Sequence, residues 1–87
     1  MDKEKQRNYW RTASTMDWQT ANDIYQSDKN YHYCLFICHL TIEKLLKAFI
    51  VEKTNTFPPK SHNLTRLAEL AEIDVSADQI RLLEELN

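Results

Sequence analysis

The sequence predicts an all-α protein, an antiparallel up-and-down helical bundle of about four helices. Three observations carry this. Glycine is absent from all 87 residues, where an average chain of this length holds roughly six. Tight hairpins that need positive φ therefore lose their usual residue. Apolar residues recur at helical spacing through residues 4–27 and 31–53. The polar breaks between such segments are short and built from Ser, Asp, Asn and Pro.

The first helix is predicted over residues 4–27, with Trp10, Ala13, Met16, Asp17, Thr20, Ala21 and Ile24 on one side. The turn Ser27-Asp28-Lys29-Asn30 follows. Residues 31–53 form a second helix, too apolar for a single stripe. At 100° per residue its side chains separate into two faces. Tyr31, Cys34, Leu35, Ile37, Cys38, Ile42, Leu45, Leu46, Ala48 and Phe49 make an almost purely apolar one, read as the core face. His32, Tyr33, Phe36, His39, Leu40, Glu43, Lys44, Lys47, Ile50 and Val51 make a mixed one, read as facing a partner, a ligand or water.

The paired prolines of residues 54–61 forbid a continuous helix there. Ser61 is the predicted N-cap of a third helix over 62–72, with Leu64, Leu67, Ala68 and Ala71 inward. Ser76-Ala77-Asp78-Gln79 matches a capping box, so a fourth helix starts near residue 77 with Ile80, Leu83 and Leu86 inward. Its pattern still runs at Leu86-Asn87, which suggests a C-terminal helix that is incomplete in a longer domain.

The whole chain, 1–87, reads as one small domain. Its formal charge of −2 argues against a strongly basic nucleic-acid binder. Phosphate loops and EF-hand loops are excluded because each requires glycine. Charge is uneven: residues 1–60 hold nine basic and seven acidic side chains, residues 61–87 two and six. The polar N-terminus is not a signal peptide and no apolar run spans a bilayer, so a cytoplasmic protein without membrane contact is expected. Cys34 and Cys38 share a helical face but gather no further ligands, so they read as core thiols and neither metal nor cofactor is expected.

Three signatures occur in order: Trp10-x-x-Ala13-x-x-x-Asp17-x-x-x-Ala21, then Glu43-Lys44-x-Leu46-Lys47-Ala48, then His62-x-Leu64. Together they resemble the HEPN family (higher eukaryotes and prokaryotes nucleotide-binding domains). The resemblance implies a helical bundle, commonly dimeric, often paired with a small nucleotidyltransferase as toxin and antitoxin. It also implies, for the family's ribonucleases, an Arg-x(4–6)-His motif. No arginine of this chain is followed by histidine at that distance. A non-catalytic member is therefore the reading for these 87 residues. The alternative is a ribonuclease toxin whose motif lies beyond Asn87.

Asp17 sits among apolar neighbours and needs a cation, with Lys44, Lys47, His39 and His62 available. It reads as a structural ion pair or as part of a polar site between helices. His39, Glu43 and Lys47 form an i, i+4, i+8 ladder beside Phe36 and Leu40. Either it is solvated, or it belongs to a dimer seam or partner groove with Phe36 and Leu40. Lys44 and Lys47 beside an aromatic ring are the candidates for a nucleotide sensor, with RNA or nucleotide as ligand. His62 reads as a local packing residue or a general acid–base. The favoured function is a self-associating interaction module, a homodimer, with a nucleotidyltransferase-like partner protein added by the resemblance.

Overall fold

The computed structural model describes residues 1–87. It contains four helices: α1 (Lys3–Gln26), α2 (Tyr31–Thr54), α3 (Leu64–Leu70) and α4 (Ala77–Leu86). None is long and apolar enough to cross a membrane. The all-α bundle is as the periodicity predicted, and the two long helices start and stop within a residue of expectation. Asp2 caps α1 by accepting from Lys5 N–H at 3.1 Å. Ser76 and Gln79 close the predicted capping box of α4.

The third helix differs. It starts at Leu64, and its N-cap is Asn63, whose side chain accepts from Arg66 N–H. Ser61 instead accepts from Asn63 N–H within the preceding loop. His62 stays outside the helix because its ring is bonded to Glu43 on α2. At the other end, Glu72 adopts φ 56°. Its N–H donates to Glu69, and Ile73 N–H donates to Ala68, forming a Schellman stop with glutamate in the usual glycine position. Asp28, Asn30 and Asn55 also take positive φ. The chain thus reaches left-handed geometry without glycine, mostly through the Asp and Asn side chains that tolerate it best.

The helices form a slab measuring 40 × 30 × 18 Å between Cα atoms. α2 lies centrally. α1 packs along one side of it and α3 and α4 along the other, and α1 touches neither of the latter. The core is split accordingly. Leu46 and Ile50 of α2 pack with Leu64, Leu67, Ala68, Ala71 and Leu83. Cys34 and Ile37 pack with Ala21 of α1.

This arrangement corrects the predicted faces of α2. Tyr31, Leu35, Leu45 and Phe49, assigned to the core, are exposed. Glu43, Lys47, Ile50 and Val51, assigned to the mixed face, are buried. A central helix with neighbours on two sides buries two lateral stripes, whatever its most apolar face. On α1 the stripe is likewise rotated: Ser14 and Ala21 are buried, whereas Met16 is exposed.

Candidate functional site

Two features are built around α2: a polar cluster around a buried carboxylate on one side, reached from the surface by the exposed His62, and an open apolar face on another. The cluster centres on Glu43, which is only 4% exposed. His62 Nδ1 donates to Glu43 Oε1 at 2.8 Å, and Lys47 Nζ donates to Oε2 at 3.3 Å. His39 Nε2 stands 3.5 Å from Oε1, while its Nδ1 donates to the Leu86 carbonyl at 2.7 Å. With Nδ1 donating, Nε2 attracts the carboxylate only in the doubly protonated ring. The buried Lys47 ammonium also lies 5.2 Å from the centre of the Trp10 ring, a cation–π contact from α1.

Burial pushes the Glu43 carboxyl up, but the His62 hydrogen bond and the Lys47 charge outweigh it and hold the group below its ordinary value. A charge buried at this depth persists only because all its partners are in place. The cluster therefore ties four segments together: α1 through Trp10, α2, the loop before α3 through His62, and the end of α4 through Leu86.

A second ion pair joins α1 to α2. Lys44 Nζ lies 2.6 Å from Asp17 Oδ2. Of the four cations open to Asp17 in the sequence, Lys44 is the one in contact. Near this half-buried pair the buried Ser14 donates from Oγ to the Thr41 carbonyl at 2.9 Å, and Ala21 permits close approach of Cys34, whose thiol donates to the Ala21 carbonyl.

The candidate residues are thus divided. Glu43, His39, Lys47 and His62 meet in the cluster, and Lys44 meets Asp17. Leu40 packs on the α1–α2 core. Phe36 is exposed, stacked on Tyr33, and lines a surface cavity with Leu35, His39 and the end of α4. The six residues Phe36, His39, Leu40, Glu43, Lys44 and Lys47 do not form one continuous surface, because Glu43 and Lys47 are enclosed within the chain. Both lysines already carry a carboxylate partner, so neither offers a free charge to a phosphate. Cys34 and Cys38 are free thiols, and no group of three or more potential ligands is placed to hold a metal ion. Burial pushes the Cys38 thiol up, away from thiolate.

The sequence signatures can now be placed. Trp10 and Asp17 grip Lys47 and Lys44, while Ala21 seats the α1–α2 contact. Glu43 and His62 pin the loop before α3. A HEPN domain model matches residues 8–87. The chain belongs to the HEPN domain family. Neither a curated protein nor a solved structure matches it. In this HEPN domain, the signature residues are the ones that lock the helices to one another.

The open face lies on the other side of the α1–α2 pair. Trp18 and Tyr25 of α1, with Tyr31, Leu45 and Phe49 of α2, are all exposed there. Arg7, Arg11, Ser14, Trp18, Ala21 and Tyr25 follow i, i+4, i+7 spacing along α1, and Cys34, Cys38, Thr41, Leu45, Ala48 and Glu52 do so along α2. These stripes pack the two helices on each other, with Ser14, Ala21, Cys34 and Ala48 buried between them and Arg11, Trp18, Tyr25 and Leu45 at the open edge. Sequence reasoning missed this face because its α2 residues were assigned to the core, while Trp18 and Tyr25 of α1 were assigned to neither side.

Proposed function

We propose that this HEPN domain is a self-associating interaction module, a homodimer whose seam is the open face of α1 and α2. The observation that carries the reading is the exposure of Trp18, Tyr25, Tyr31, Leu45 and Phe49 along the α1–α2 pair. Chains that stay monomeric rarely leave contiguous apolar patches of more than a few hundred Å² open to water. The broad side of the slab, 40 by 30 Å, exceeds the ~800 Å² per partner of a standard interface. Leu45→Glu or Phe49→Glu should halve the mass found by light scattering while helical circular dichroism persists. Tyr33→Glu with Phe36→Glu, both exposed on the opposite side, should leave an intact chain dimeric. A mass that halves only with the second pair would move the seam to the opposite side.

Family membership supports a cognate partner of the nucleotidyltransferase type, in a toxin–antitoxin-like pair. The test is to combine the chain with a small nucleotidyltransferase encoded beside it and weigh the complex after gel filtration. Co-elution at a defined stoichiometry supports the pairing; independent elution at micromolar concentration contradicts it. Free thiols at Cys34 and Cys38 suit a reducing compartment, and we place the module in the cytoplasm.

A further inference from the structure

The open face is not uniform along its length. The Ser14–Thr41 hydrogen bond crosses its middle. On one side lies a cavity of about 320 Å³ lined by Arg7, Arg11, Leu45, Ala48, Phe49 and Glu52. On the other lies one of about 300 Å³, bordered by the rings of Trp18 and Tyr25. The first is a hole with an apolar floor and a cationic rim. Arg7 is tied to Glu52 at 2.8 Å, whereas Arg11 has no carboxylate within 4.0 Å. Its volume is at the low end for a ligand site and suits one bulky side chain. The second region carries the knob: Trp18 is 58% exposed.

Arg11 and Trp18 stand about one turn to either side of Ser14 on the same stripe of α1. A two-fold axis crossing α1 near Ser14 reverses the stripe, so that Trp18 of one copy lies over Arg11 of the other. An isologous contact repeats itself, which fills both holes with both knobs. We infer that Trp18 of each copy plugs the cavity between Arg7, Arg11 and Phe49 of its partner, with Arg11 over the indole face. The inference rests on the self-association reading and names the contact that holds it. The chemistry is complementary. An arginine that lacks a carboxylate meets the ring most attractive to cations. The indole covers Leu45 and Phe49, which are otherwise 42% and 44% exposed. Tryptophan and arginine are also the residues that most often dominate such interfaces.

The test is a double-mutant cycle on the dissociation constant of the full chain, read by sedimentation equilibrium. Trp18→Ala should weaken the dimer at least about tenfold and Arg11→Gln less. The double variant should be weaker than wild type by clearly less than the product of the two, because both changes remove one contact. Trp18→Phe should restore part of the loss. Both positions are exposed, so circular dichroism of each variant should match wild type. If Leu45→Glu dissociates the dimer while Trp18→Ala and Arg11→Gln leave its affinity unchanged, the plug is wrong and the seam stands. Independent, multiplicative effects also overturn the plug. A wild-type chain that remains monomeric at all concentrations overturns both.

Discussion

Glu43 shows at residue scale how this small fold holds charge in its interior. Removing its carboxylate leaves Lys47 buried beside Trp10 without an anion. Glu43→Ala should therefore cost about 3 kcal/mol of unfolding free energy, measured by urea denaturation. The same carboxyl sets an acid limit. Its folded value lies below the ordinary one, so its stabilisation is complete above the unfolded value of about 4.3 and is lost as pH falls through the folded value. Glu43→Gln should flatten that part of the stability profile below about pH 4, and an unchanged acid limb would show that other carboxylates set it. The ladder of His39, Glu43 and Lys47 is legible in the sequence from its spacing. Its burial is not, because His62 approaches from 19 residues away and helix periodicity carries no information about such partners. Asp17 was easier to read, since a carboxylate among Trp10, Ala13 and Ala21 needs a cation and α2 offers few.

The element scale is where local rules worked best and where one of them reaches its limit. The capping box at Ser76 predicts the start of α4, and Ser76→Ala should lower stability by about 1 kcal/mol. The start of α3 is a different case. Ser61 has the right chemistry for a cap, yet the tertiary bond of His62 moves the cap to Asn63. Asn87 reinforces that start, accepting from Leu64 N–H at 2.7 Å through its side chain. At the end of α3, Glu72 holds φ 56° against its own Cβ. Glu72→Gly should raise the melting temperature, by about 1 kcal/mol of relieved strain offset in part by the flexibility glycine adds to the unfolded chain. A lower melting temperature would mean that the Glu72 side chain contributes more than its backbone costs. No single-sequence signal distinguishes Glu72 from other helix-forming residues, because its conformation follows from where α3 has to stop.

At the scale of the whole molecule, the helices lie in one layer and α2 is shared by two half-cores. Counting apolar residues on α2 shows that more than one side must be covered. It does not show which side α1, α3 and α4 take, and so the predicted core face and the open face were exchanged in part. The slab explains both the enclosed Glu43–Lys47 pair and the exposed aromatic side chains: the chain itself covers this pair on one side of α2, and the opposite side has nothing of this chain over it. The central claim is that a second copy covers that side. Solution X-ray scattering at several concentrations tests it most directly. A stacked pair gives a mass of about twice the 10.4 kDa chain in a compact, thickened particle, and Leu45→Glu returns it to the mass of one. A wild-type particle that keeps the single-chain mass and the 13.4 Å radius of gyration of one slab at every concentration contradicts the account.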